Sequence, residues 1–210
     1  MKIGIVSTFS NQGYEEYAKH FVENLKKNLD EQIDVFLYVD NKKLFKTSPN
    51  IHKFDLEKLV PDLTQFKNRN KDKTFKNFMW DAVRFSHKSY AIWHAATTRN
   101  VDILIWLDAD TEIINRISAE YLKTFLPDGY FTSYLGREGY SETGFISFDL
   151  RNPYAKEFFS IFKNYYDTDK IYTLDAFTDC HVFDATRNEL ENAGKNKRPQ
   201  SNTSTYKTSF

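Results

Sequence analysis

Asp108 and Asp110 stand one residue apart at the end of the apolar run Ile103-Leu104-Ile105-Trp106-Leu107. Two carboxylates at i and i+2 on a loop repel each other unless a cation lies between them. Oxygen-only ligands suit Mg2+ or Mn2+, and such an ion commonly bridges a carboxylate pair to phosphate oxygens. The competing reading is a solvated acidic turn, since Asp is common in turns. The two residues alone do not choose between these readings. Other groups with usable chemistry lie far away in the chain. Arg84 and Lys88 share one side of a helical pattern, Glu142-Thr143-Gly144 precedes an apolar stretch, and Asp175, Asp179, Cys180, His181 and Asp184 crowd together near the end.

Elements must bring these groups together. Five apolar residues before Asp108 fit a strand buried on both faces, as in a parallel sheet, with the acids just past its carboxyl end. That edge is where open α/β sheets bind ligands. Lys2 to Thr8 reads as a first strand, followed by the polar loop Ser7 to Gly13. Tyr17, Phe21, Val22, Leu25 and Leu29 recur at helical spacing from Glu15 to Leu29, and Ile33 to Val39 is a second strand. The resulting β-α-β unit implies a parallel pair. No G-x-G-x-x-G joins its strand and helix, which argues against a dinucleotide fingerprint.

Further on, Ile51 to Phe54 fits a short strand, and Asp55 to Phe66 a short helix interrupted at Pro61. The charged run from Lys67 to Lys73 reads as a solvated loop, or else as a lid over a phosphate site. The longest helical pattern covers Phe75 to Thr98, with Phe78, Ala82, Phe85, Ser89, Ile92 and Ala96 in one stripe. Asp81, Arg84 and Lys88 fall on a neighbouring polar face. Pattern alone favours an exposed ion-pair face there; the functional alternative aims Arg84 and Lys88 at a diphosphate. A helix over Ser118 to Phe125, a turn at Pro127-Asp128-Gly129, a strand over Tyr130 to Leu135 and a tight loop at 136–139 follow. The glycine at 144 lets backbone approach a ligand closely. A helix from Asn152 or Pro153 turns Phe158, Phe159, Phe162 and Tyr166 inward.

Composition narrows the classes. The chain has 210 residues, enough for one large domain with a proper core. Its 29 basic and 29 acidic residues cancel, which gives no electrostatic case for nucleic acid or an anionic membrane as partner. One cysteine rules out an intrachain disulfide and fits a reducing compartment. The first residues do not form a signal peptide, and no window spans a membrane. The expectation is a cytoplasmic protein (host cytoplasm for a viral chain). Nineteen Phe, thirteen Tyr and three Trp serve equally as core or as platforms for bases and sugars. The Lys-, Asn-, Ser- and Thr-rich stretch from Gly194 is expected to be a disordered tail.

In this order the elements resemble a GT-A glycosyltransferase of small phage or bacterial type. The likeness covers roughly residues 1 to 190. It rests on the β-α-β start, the Arg/Lys helix, the strand ending in Asp108-Ala109-Asp110, then Glu142-Thr143-Gly144-Phe145-Ile146-Ser147-Phe148-Asp149, then Asp179-Cys180-His181-Val182-Phe183-Asp184. The resemblance implies an α/β fold with a mixed, mostly parallel, Rossmann-like sheet in a single domain, 1–193. Residues 1–110 would form its nucleotide-binding half and 111–193 its acceptor half. It implies a nucleotide diphosphate sugar as donor, Mn2+ or Mg2+ as cofactor, and a carbohydrate or other hydroxyl as acceptor. Ser7 and Thr8 would contact the nucleotide, and Arg84 and Lys88 the diphosphate or donor sugar. Asp108, Ala109 and Asp110 would form the metal and diphosphate clamp. Glu142, Thr143 and Gly144 would border the sugar. Asp179 is the first choice for a base, with Glu142 and Asp175 behind it. His181, the only histidine after His94, is the candidate third metal ligand. The tail lacks the late histidine and Lys-Gly pair that related enzymes commonly carry, so either His181 serves, water completes the shell, or the metal site is short of an element.

Two other readings remain open. Leu107-Asp108-Ala109-Asp110-Thr111 matches the nucleophile motif of HAD-type phosphatases, but that motif normally ends a first strand. No later G-D-x-x-x-D is present. The second is a nucleotide-sugar-binding protein without turnover.

Overall fold

The computed structural model describes residues 1–73, 77–137 and 139–192. A six-stranded sheet runs through it in the order β3-β2-β1-β4-β6-β5. Its strands are β1 (Ile3–Phe9), β2 (Asp34–Val39), β3 (Ile51–Phe54), β4 (Ile103–Leu107), β5 (Thr132–Leu135) and β6 (Glu142–Asp149). The pairs β1–β2, β2–β3 and β1–β4 are parallel, whereas β6 runs antiparallel to both β4 and β5. The mixed, mostly parallel sheet is the one the sequence called for.

Every residue of β4 is buried, as a strand covered on both faces requires. One apolar layer joins Phe21, Val22 and Leu25 to Ile5, Ile105 and Phe145. The other joins Ile92, Trp106, Phe148, Phe158, Phe162 and Phe183. Most of the aromatic residues thus build core; ring pairs such as Phe131–Phe158 (5.1 Å) and Phe148–Phe159 (5.1 Å) pack edge to face or tilted.

The helices depart from the sequence reading in three instructive places. Between β1 and β2 the chain forms α1 (Asn11–Gly13), a π-helical stretch Tyr14–Ala18 and α2 (Lys19–Asn28). A π stretch adds residues per turn, so a 3.6-residue period cannot be carried across it. Tyr17, expected on the core stripe, is accordingly 40% exposed. Next, α3 (Leu56–Leu59) and α4 (Pro61–Asn70) part at Pro61 as expected, but α4 takes in the first half of the charged run. There Arg69 bonds to Asp169 and to the carbonyls of Tyr166 and Asp167, so this part is no solvated loop.

Third, the long helix is α5 (Ala82–Thr98), preceded by a 3-10 turn at Phe78–Trp80. Asp81 is not on its polar face. Its carboxylate accepts a hydrogen bond from the Arg84 backbone N–H (3.0 Å) and caps the helix. Downstream lie α6 (Ala119–Lys123), capped by Ser118, α7 (Ala155–Asp167), a 3-10 turn at Lys170–Thr173, and α8 (Asp179–Asn192). The tail from Gly194 and the start of the expected helix at Phe75 lie outside the described residues. No described helix is long and apolar enough to cross a membrane.

Candidate active site

A cavity of about 710 Å3 opens at the carboxyl edge of β1 and β4. Its wall includes Thr8 and Phe9 from β1, Tyr17 from the π-helical stretch, and Arg84, Phe85, His87 and Lys88 from α5. Trp106, Asp108, Ala109 and Asp110 come from the end of β4, and Asp179 from the start of α8. Residues from four distant parts of the chain thus meet where the strands stop.

Lys88 organises the polar wall. It is 8% exposed, so its ammonium needs protein partners in place of water. It finds four acceptors: the carbonyl of Thr143 (2.7 Å), Asp108 Oδ1 (2.9 Å), Asp179 Oδ2 (2.7 Å) and, farther off, Thr143 Oγ1 (3.3 Å). An ammonium has three protons, so this set satisfies it. Burial pulls the Lys88 ammonium down, but the facing carboxylates of Asp108 and Asp179 outweigh it and hold it above its ordinary value. Burial pushes the Asp108 carboxyl up, against the opposing pull of Lys88.

Both carboxylates are anchored through one oxygen only. Asp108 Oδ1 also accepts from Trp106 Nε1 (2.6 Å), and Asp179 Oδ2 also accepts from Thr143 Oγ1 (2.5 Å). Among the described residues no hydrogen bond reaches Asp108 Oδ2 or Asp179 Oδ1. Trp106 was not singled out from the sequence, although its spacing signals it: residues i and i+2 leaving a strand point to the same side.

The Asp108 backbone is fixed as well. Its N–H donates to the Gly144 carbonyl (2.9 Å), and its own carbonyl accepts from Thr111 N–H (3.1 Å), which turns the chain. A Cβ on Gly144 would sit 3.3 Å from Glu142 Oε1 and 3.5 Å from Asp108 Oδ2. The glycine keeps room beside the unused Asp108 oxygen. Asp110 makes no hydrogen bond or ion pair to another described residue, and neither does the Arg84 guanidinium; both face the cavity.

Other expected site residues are placed differently. Ser7 is wholly buried and donates to the Leu107 carbonyl (2.7 Å), tying β1 to β4 instead of lining the cavity. Thr8 does line it, with its hydroxyl on the Tyr38 carbonyl. Thr143 and Gly144 stand behind Lys88 and Asp108 as supports. Glu142 accepts from Arg137 (2.5 Å) and from Gly144 N–H (2.9 Å). Asp175 is exposed on the segment before α8 and absent from the cavity wall. His181 bonds through Nδ1 to Thr178 Oγ1 (2.8 Å), and its ring lies 4.7 Å from that of Tyr140. Among the described residues no three His, Cys, Asp or Glu side chains converge on one point. His181 is therefore not brought together with Asp108 and Asp110.

The structure adds Asp40, Glu57 and His87, which the sequence did not mark, and Lys67 from the start of the charged run. These residues line the cavity, where Lys67 bonds to Glu57 and lies 3.5 Å from His87 Nε2. Burial, helped by the Lys67 charge, holds the His87 imidazole below its usual range. His87 is thus a wall residue of the cavity, whereas His94 bonds to Tyr38 in the core (2.7 Å).

No family model matches the chain, and no curated protein does. Among solved structures, the chain is similar to one described as the apo form of the bifunctional glycosyltransferase WbbM, with a TM-score of 0.54 and 12% identity. The fold of this chain is like that of the matched part of WbbM. The match covers 88% of this chain but only 37% of that one, so the chain corresponds to a little over a third of the WbbM structure. At that identity the likeness concerns the fold and not the residues of the site.

Proposed function

We propose that the protein is a metal-dependent glycosyltransferase, moving a sugar from a nucleotide diphosphate donor to an acceptor hydroxyl. The observation that carries this reading is the pair of half-used carboxylates. Asp108 and Asp179 are each pinned by Lys88 through one oxygen, beside an uncommitted Asp110, at the strand edge where α/β sheets bind ligands.

The charge of the wall supports a bound cation. Glu16, Asp40, Glu57, Asp108, Asp110 and Asp179 face Lys67, Arg84 and Lys88, so acids outnumber fixed cations. A bare diphosphate would be repelled. Mg2+ and Mn2+ accept one or two carboxylates with the remaining positions taken by water and phosphate. Asp110 and Asp108 Oδ2 fit that donor set without a third side chain. Bound there, the ion would offset the charge that gathers on the departing diphosphate.

The chain's own groups divide the remaining work. Arg84 contacts the diphosphate from the cavity mouth. Lys88 holds two carboxylates in place within one wall, so their orientation is set before substrate arrives. Thr143 fixes the rotamer of Asp179, and Asp179 Oδ1 accepts the proton of the attacking hydroxyl. Asp179→Asn should then lower turnover about a hundredfold with donor affinity nearly unchanged; equal losses in both would make the residue structural.

The reading is tested with the Asp110→Ala variant. Wild-type protein should gain thermal stability from UDP or GDP plus Mn2+ and should release nucleoside diphosphate from one of the common nucleotide sugars. Asp110→Ala should lose the Mn2+-dependent shift and about 100- to 1000-fold in turnover, while melting like the wild type without ligand. An unchanged shift would show that Asp110 holds no metal.

A further inference from the structure

We propose that Phe78 and Trp80 form a stacking subsite for a saccharide acceptor beside the cavity wall at Phe85. This rests on the glycosyltransferase reading and adds to it the chemical class of the acceptor. Most aromatic side chains of the protein are buried, yet Phe78 is 61% exposed and Trp80 38% exposed on the same short turn. Leaving two large rings in water on three residues forgoes burial worth roughly 1.5–3 kcal/mol for a side chain such as Phe. Exposed apolar clusters of this kind mark binding surfaces.

Location gives the cluster its occupant. The Phe78 ring lies 6.4 Å from that of Phe85, which lines the cavity. The Trp80 ring meets Phe177 edge-on at 5.1 Å, and Phe177 lies two residues before Asp179. The Phe78 ring thus neighbours a residue of the cavity wall, and the Trp80 ring packs on the segment that leads into Asp179. The turn is held in place: Phe177 N–H donates to the Met79 carbonyl (2.8 Å), and Asn77 accepts from Met79 N–H (3.0 Å). A fixed, exposed pair of rings beside a polar cavity offers what a pyranose needs. Its C–H face can lie on a ring while its hydroxyls reach carboxylates, and the indole N–H adds a polar handle. A peptide or lipid acceptor would use the apolar surface but would bring no row of hydroxyls to the acids beside it.

The test uses the whole protein on a printed array of gluco-, galacto- and manno-oligosaccharides, with UDP or GDP plus Mn2+ shifts measured in parallel. Wild type should bind at least one oligosaccharide. Phe78→Ala should weaken that binding at least tenfold, Phe78→Tyr should restore it, and Phe78→Leu should not, which separates stacking from plain apolar contact. Because Phe78 is mostly exposed, its variants should melt like the wild type; Trp80→Ala, which also removes a contact to Phe177, is the secondary variant. Wild-type binding to none of the oligosaccharides, or Phe78→Ala binding unchanged, overturns the subsite. Nucleotide shifts that persist in that case leave the donor reading standing. Oligosaccharide binding that depends on Phe78 without any nucleotide shift would leave the subsite standing and remove the donor reading.

Discussion

Two lysines in this molecule bridge two carboxylates each, and they do different things. Lys88 ties Asp108 to Asp179 beside the cavity. Lys163, on α7, ties Asp62 of α4 to Asp167 of its own helix, where the Tyr90 hydroxyl of α5 also donates to Asp167 (2.7 Å). The lysine side chains are similarly covered, 10% and 11% exposed. One partner sets them apart. Asp179 is 6% exposed in its side chain, whereas Asp108, Asp62 and Asp167 are 37%, 45% and 32% exposed. The Lys163 cluster has water at its rim and joins three helices. The Lys88 cluster draws its acceptors from the end of β4, the start of β6 and the start of α8, and both of its carboxylates line the cavity. Similar chemistry thus fastens helices in one place and poises charge in the other.

The contrast breaks most sharply at Lys88. Lys88→Met would leave two carboxylates facing each other without a cation, and removing one member of a buried ion cluster costs about 3–5 kcal/mol. Urea unfolding should show that loss, and Mn2+-dependent nucleotide binding should fall with it. Lys163→Met should cost only about 1 kcal/mol, because its acids can turn to solvent, and the nucleotide-dependent thermal shift should be untouched. If the two variants lose equal stability, the difference in partner exposure is not what sets them apart.

Alkaline pH offers a milder probe. Burial pulls the Lys163 ammonium down, but its bonds to Asp167 and Asp62 outweigh that and raise it, as the carboxylates do for Lys88. A base raised on folding adds stability that is fully present below its ordinary value of about 10.5 and is lost as pH climbs through the folded value. Melting temperature should therefore be insensitive to both lysines from neutral pH to about 10. It should then fall more steeply in wild type than in either Met variant. The smallest effect is that of salt. Raising NaCl to about 1 M shortens the Debye length to about 3 Å. This should narrow the gap between wild type and Lys163→Met by a few tenths of a kcal/mol, and leave the gap for Lys88→Met almost unchanged.

Sequence reasoning reached the sheet and the acidic edge from local signals: an apolar run of strand length and a pair of acids at its end. The placement of Asp179 near them was implied by the family resemblance, not by any local signal. It missed where local signals compete. Asp81 could belong to a helical face or cap the helix, and the cap wins because its carboxylate satisfies a free backbone N–H. Lys88 looked like half of a surface ion pair, because each of its acceptors lies at least 20 residues away. No periodicity reports contacts of that range. Thr143 and Ser7 have hydroxyls suited to ligands, yet both are spent on internal partners, a choice made by strand pairing.

The antiparallel run of β6 against β4 has a consequence for how this protein can change. Because the two strands meet head to tail, the Asp108 to Gly144 hydrogen bond fastens the two ends of a long intervening stretch at a single edge. The turn around Gly139, whose φ of 90° suits glycine, lies between β5 and β6 near that edge. Residues could be inserted at that turn without moving Asp108. Lengthening that loop would then leave the carboxylate clamp in register.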